Sequence, residues 1–213
     1  LGMLERAALA IETLAAHQPE AVDLVLIALL VSVLIDLDRA DDARVWAHSY
    51  IERNTVGEAA LMLALLFDRK DRPGHALDLL DTFVELAADT PWFMAALVSV
   101  ETRMGRADRA FGRLLPLYEA DLLPATLRDS FIDLALRRGE EDLAFAAAER
   151  FGLESLPDWL LVGLVQAVVN RGRPDIARVL VDRLGDDFLA TRPILAARLA
   201  LLRGDEAAAQ RWV

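Results

Sequence analysis

A turn that repeats constrains this chain more than any other feature. Met104-Gly105-Arg106-Ala107-Asp108-Arg109-Ala110 reads as one helix end, a glycine reversal and the start of the next helix. Glycine is the usual residue just past a helix, where the backbone turns left-handed. The turn has counterparts at Arg138-Gly139-Glu140, Arg171-Gly172-Arg173 and Arg203-Gly204-Asp205. Aspartate replaces the glycine in Leu37-Asp38-Arg39 and Lys70-Asp71-Arg72; it tolerates the left-handed region less well than glycine but better than most residues. The arginine or lysine that often precedes the reversal complements the negative end of the helix. Five residues after each reversal comes alanine: Ala43, Ala76, Ala110, Ala144, Ala177 and Ala209, at separations of 33, 34, 34, 33 and 32. A small side chain there lets two helices approach closely.

A step of that size predicts stacked helical hairpins. Hydrophobic residues make up 55% of the chain, much of it Ala and Leu, which are strong helix formers. Valine and isoleucine fall inside longer apolar patterns, without the short alternation that marks strands. The predicted fold is all-α, with helices over 4–16, 20–36, 41–53, 57–69, 74–88, 91–104, 107–120, 124–137, 141–151, 157–170, 174–185, 191–202 and 205–213. That is about six pairs preceded by a lone second helix. Pro91, Pro124 and Pro157 introduce first helices, where proline's missing N–H does no harm. No linker divides the map, so residues 1–213 read as one domain. Leu24 to Ile35, the most apolar stretch, is too short to cross a membrane and is expected to be buried on most sides. Pro116 inside a helix, four residues after Gly112, predicts a kink or an early end.

The net charge of −11 and pI near 4.7 argue against a nucleic-acid binder, which needs a basic footprint. They equally argue against attraction to anionic lipid. Cysteine is absent, which removes disulfides, thiol nucleophiles and thiolate metal sites and fits either redox compartment. His17, His48 and His75 lack the spacing of zinc ligands, and His75 with Asp71 and Asp78 forms only a loose cluster in a turn. Asp41-Asp42 and Glu140-Glu141-Asp142 stand at helix N-termini, where negative charge is favoured; Asp186-Asp187 falls in a loop. No Gly-rich phosphate loop or nucleophile elbow is present. The sequence therefore predicts a non-enzymatic chain without cofactor or metal.

A helix–turn–helix unit of this length, with glycine before its second helix and alanine five residues later, resembles the tetratricopeptide repeat. Repeats then start at Leu24, Gly57, Pro91, Ala125, Asp158 and Ala190. The family's large apolar position in the first helix becomes Leu30, Leu63, Leu97, Phe131 and Leu164. Its late position in the second helix becomes Tyr50, Phe83, Leu117, Phe151 and Leu184. The early tryptophan is missing, and Val31, Val98, Ile132 and Val165 stand where a small residue is expected. The resemblance implies a right-handed α-solenoid that binds a protein or peptide on a concave face lined by first helices. Inner-face positions would be Ser32, Leu61, Leu65, Ser99, Thr102, Asp129, Asp133, Val162, Gln166 and Arg198.

Trp92 and Trp159, each second in its repeat, are either rim anchors for a partner or packed under the preceding loop, and packing is the favoured reading. Trp46 and Trp212 are expected in the core. Arg69, Arg103 and Arg137 would form a ladder along one edge, able to grip an acidic partner or simply to stabilise helix ends. With Lys70 the single lysine, the clamp by which related repeats hold a terminal carboxylate is disfavoured. Apolar residues in the end helices predict a piece of a longer solenoid, with self-association through open ends as an alternative. The Ala-Leu-Asp-Arg-rich composition is also similar to periplasmic repeats of bacterial exopolysaccharide export proteins, implying a periplasmic scaffold and a cationic polysaccharide as a second partner class. The alternative is an accessory segment of a cytoplasmic enzyme or transcriptional regulator.

Overall fold

All six predicted reversals are left-handed, with φ of 59° at Asp38, 57° at Asp71, 73° at Gly105, 76° at Gly139, 62° at Gly172 and 75° at Gly204. Each is closed by the same pair of backbone bonds. The N–H after the reversal reaches back five residues, as from Arg39 to the Leu34 carbonyl (2.8 Å), Arg106 to Glu101 (2.8 Å) and Asp205 to Ala200 (3.0 Å). The N–H of the reversal itself reaches back three, as from Gly105 to Thr102 (3.1 Å) and Gly139 to Leu136 (3.0 Å). This pairing satisfies the carbonyls that a helix end leaves open. The alanine five residues on is buried in every copy.

The computed structural model describes residues 2–87, 90 and 92–212, the side chain of Asp186 excepted. The described residues form thirteen α-helices, which gather into two compact units, residues 1–106 and 107–213. The first unit holds α1 (Met3–His17), α2 (Leu24–Asp36), α3 (Ala40–Asn54), α4 (Gly57–Arg69), α5 (Pro73–Thr82) and α6 (Phe93–Arg103). The second holds α7 (Ala107–Glu119), α8 (Arg128–Arg138), α9 (Glu141–Phe151), α10 (Asp158–Arg171), α11 (Pro174–Ala190), α12 (Pro193–Leu202) and α13 (Glu206–Arg211). No strand occurs among the described residues. The chain is all-α and built of helical hairpins, as the 33-residue step predicts.

In the first unit α2 packs on α4 and α4 on α6, while α3 packs on α5. First helices thus stack on first helices. The core between the layers contains Leu30, Leu63, Phe67, Leu80 and Leu97. In the second unit α8, α10 and α12 form the corresponding row. There Phe131 is buried against two aromatic neighbours, Phe111 with centroids 5.5 Å apart and Tyr118 at 4.5 Å. All five large first-helix positions, Leu30, Leu63, Leu97, Phe131 and Leu164, are buried.

The boundaries differ from expectation at several points, each for a local reason. The second helix begins at Leu24 rather than residue 20, because Pro19–Ala21 is a 3-10 turn and the Asp23 carboxylate accepts from the Leu26 N–H at 2.9 Å, a good N-cap. The predicted helix over 74–88 ends at Thr82, where Thr82, Phe83 and Val84 are three weak helix formers in succession; Ala88 lies outside the described residues, as do Pro91 and Val213. Residues 125–127 form a 3-10 turn ahead of α8. Pro116 does not end its helix early: α7 runs to Glu119, and the Pro116 carbonyl accepts from Ala120 at 3.0 Å. Proline loses only its own donor, so the turns beyond it still close. At Gly185 (φ 71°, ψ 170°) the chain breaks from helical geometry and then resumes to Ala190, so Asp187 stands in a helical segment rather than a loop.

The reversals offer a paired test. Asp71 is exposed and carries no ion pair among the described residues. Asp71→Gly is expected to raise stability by about 0.5–1 kcal/mol by relieving the left-handed strain. Gly172→Asp should lower it by a similar amount. Urea midpoints followed by circular dichroism read both, and two shifts of the same sign would contradict the account.

Candidate partner-binding surfaces on the first helices

The first helices of residues 1–106 turn one face to the core and leave the other open. On α2 the open stripe is Val25, Leu29, Ser32 and Asp36; on α4 it is Glu58, Met62, Leu65 and Arg69. Trp92, Ala96, Ser99 and Arg103 continue it along α6, at the three- and four-residue spacings that share a helix face. Val25 is 72% exposed, Leu29 50% and Trp92 66%, with Met62 also exposed. As expected, α2 is buried on most sides: Ile27, Leu30, Val31, Val33, Leu34 and Ile35 are buried, and only the narrow stripe of Val25, Leu29 and Asp36 is exposed. The exposure of Trp92 corrects its packed reading; the residue stands at the N-cap of α6 with φ of 67°. Trp46 is half-buried against the core, as expected.

Charged side chains near this surface are mostly held by the chain itself, commonly about one repeat away. Lys70 bonds Asp36 at 2.6 Å, Arg72 bonds Asp38 at 3.0 Å, and Arg103 pairs with Asp68. Arg69 alone of the expected ladder is exposed with no ion pair among the described residues. Between α3 and α5, His48 bonds Asp78 at 2.9 Å beside Arg44 (3.2 Å), and His75 lies 3.7 Å from Asp41. The expected grouping of His75 with Asp71 and Asp78 is therefore replaced by pairs between neighbouring second helices. The pairs between repeats carry a sequence signal of their own, one repeat length: Asp36 and Lys70, Asp38 and Arg72, and Asp158 and Arg192 are each 34 residues apart.

In residues 107–213 the open face runs along α8, α10 and α12. Asp129, Asp133 and Leu136 share one stripe of α8, and Trp159 and Gly163 share one on α10, with Gln166 a turn further on. A Cβ built at Gly163 would lie 3.4 Å from Leu136 Cδ1, so α8 and α10 are in contact at these two residues. Trp159 is 57% exposed, which again corrects the packed reading. Asp133 is bonded by Arg137 at 2.8 Å within α8, and Gln166 donates to Asn170 at 2.7 Å within α10. Asp129 is half-buried with no ion pair among the described residues.

The hairpin ends of this unit are also tied together. Arg171 bonds Glu141 at 3.0 Å, and Arg173 pairs with Asp142 and with Asp175 (2.9 Å). The Arg173 guanidinium holds the Asp175 carboxyl below its ordinary range, chiefly by direct hydrogen bonding. A half-open cavity of about 470 Å³ between α11, α12 and α13 is lined by Leu189, Ala196, Ala200, Arg203 and Trp212 among others. No helix among the described residues is long and apolar enough to cross a membrane.

No protein-family model matches the chain, and no curated protein matches it in sequence. Among solved structures it is similar to a tetratricopeptide repeat protein from Parabacteroides merdae, with a TM-score of 0.49 and 14% identity, over 98% of this chain and 84% of that one. The fold assigned above rests on the chain's own turns and helices.

Proposed function

We propose that the chain is a non-enzymatic helical-repeat scaffold that binds another protein along the open face of its first helices. The observation that carries this reading is the apolar stripe of Val25, Leu29, Met62 and Trp92. Exposed apolar side chains gathered on adjoining helices mark interaction sites, whereas scattered ones do not. An apolar centre edged by paired charges also matches the general anatomy of a binding surface.

Photo-crosslinking residues placed at positions 29 and 62, with a control at the exposed Glu149, test it in the native host. Adducts to one protein from 29 and 62 but not from 149, lost when the other position is changed to aspartate, are expected. Equal adducts at all three positions, or none at 29 and 62, would overturn it. Leu29→Asp and Met62→Asp are expected to change folding stability by no more than about 0.5 kcal/mol, because both positions already face water. Thermal melts separate that outcome from unfolding.

The narrower reading, a periplasmic scaffold that recruits polymer-modifying enzymes in exopolysaccharide export, rests on the compositional resemblance alone. Gene neighbours encoding no export machinery would remove it and favour an accessory segment of a cytoplasmic enzyme or regulator.

A further inference from the structure

Three times in residues 107–213 an arginine lies over an aromatic ring while an aspartate holds its guanidinium. Arg138 sits 4.8 Å from the Phe111 centroid and pairs with Asp108. Arg150 sits 5.0 Å from Tyr118 and pairs with Asp121. Arg192 sits 4.2 Å from Phe188 and bonds Asp158 at 2.9 Å. The guanidinium suits this arrangement because its flat face stacks on a ring while its edge donates to a carboxylate.

Trp159 offers an exposed ring with no arginine over it. It has no ring or cation partner among the described residues. Helices α8 and α10 run parallel, since α9 returns between them, and the Gly163–Leu136 approach fixes their register. One turn toward the N-terminus from that contact stand Trp159 on α10 and Asp133 on α8. A turn beyond Asp133, on the same stripe, is Asp129. Arg137 occupies Asp133; Asp129 is unoccupied by any cation of the described residues.

We propose that Trp159 and Asp129, backed by Asp133, form an open site for an arginine side chain of a bound peptide. The guanidinium stacks on the indole face and donates to the Asp129 carboxylate. The acidic chain, at net charge −11, favours approach of such a cationic segment over an anionic one. The site rests on the scaffold reading but uses residues separate from the α2–α4–α6 stripe. Failure of the cross-links at 29 and 62 would leave its own test standing.

The probe is the capped peptide of four Ala-Arg repeats, compared with peptides carrying citrulline or glutamate in place of arginine. Proton–nitrogen correlation spectra resolve the indole signals, and Trp159→Phe assigns the one that matters. The arginine peptide is expected to move the Trp159 indole and Gly163 amide signals, and the neutral citrulline and anionic glutamate peptides are not. Asp129→Asn should weaken the arginine response about 5- to 10-fold, and Trp159→Leu should remove it at Gly163. Equal movement of all four tryptophan signals would overturn the proposal, as would unchanged affinity in Asp129→Asn and Trp159→Leu. An equal response to a glucosamine oligomer would also overturn it, since that cation has no planar guanidinium.

Discussion

Replacing Phe131 by alanine is expected to destabilise the protein by about 3–5 kcal/mol, the usual cost of truncating a buried phenylalanine. Phe131 is fully buried on α8. Its ring stacks within 5.5 Å of Phe111 and within 4.5 Å of Tyr118, both from α7, and Tyr118 in turn meets Phe151 of α9 edge-on at 5.9 Å. One ring thus joins α8 to the helix before it and, through Tyr118, to the helix after it. Removing it leaves a cavity and breaks two aromatic contacts, each contributing roughly 0.5–1.5 kcal/mol beyond area. A whole domain is stable by only about 5–15 kcal/mol, so the urea midpoint of residues 107–213 should fall steeply. Phe131→Leu keeps most of the volume and should lose much less. A loss below about 1 kcal/mol in the alanine variant would show that the cluster is not a structural centre.

Gly57→Ala is expected to lower stability by about 1–3 kcal/mol, although alanine usually improves a helix by roughly 0.5–1 kcal/mol over glycine. A Cβ at Gly57 would lie 2.7 Å from Thr90 Oγ1, 2.9 Å from the Ala87 Cα and 2.9 Å from the Leu86 carbonyl oxygen. Two of those three atoms are backbone and cannot rotate away, so steric cost outweighs helix propensity. Gly112 in α7 makes the contrast, since a Cβ there meets no heavy atom within 4 Å. Gly112→Ala is therefore expected to stabilise by about 0.5–1 kcal/mol. Paired thermal or urea unfolding of the two variants checks the opposite signs. A stabilised Gly57→Ala would mean that the chain after α5 does not close over the start of α4.

The hairpins were legible because their signals are local. Six reversals at a near-constant step, each followed by a buried alanine, name the helix ends without reference to the rest of the chain. Boundaries failed where a second local device competed, as at Asp23, whose cap shortens α2, and at Thr82-Phe83-Val84, where weak helix formers end α5 early. The candidate surfaces were half legible. The expected inner-face residues do fall on the row of stacked first helices, yet Trp92 and Trp159, expected to pack, are exposed. Tryptophan is apolar enough for either place, and helical spacing does not distinguish a face covered by a neighbour from one left open.

By itself the sequence determined where the six reversals fall and which residues point into each hairpin. Both follow from interactions within a few residues: left-handed geometry that favours glycine, and apolar spacing along a single helix. The tertiary structure alone decided which charges are spent and which faces remain open. Arg103 looked equivalent to Arg69 until packing brought Asp68 to it, whereas Arg137 is held locally by Asp133 one turn back in α8. Val25 and Leu29 are as apolar as the buried residues of α2, and only the packing of α1, α3 and α4 around that helix left them in the open. Pairing across a repeat and coverage of a face depend on how helices some 30 residues apart come together, and that is fixed only when they pack.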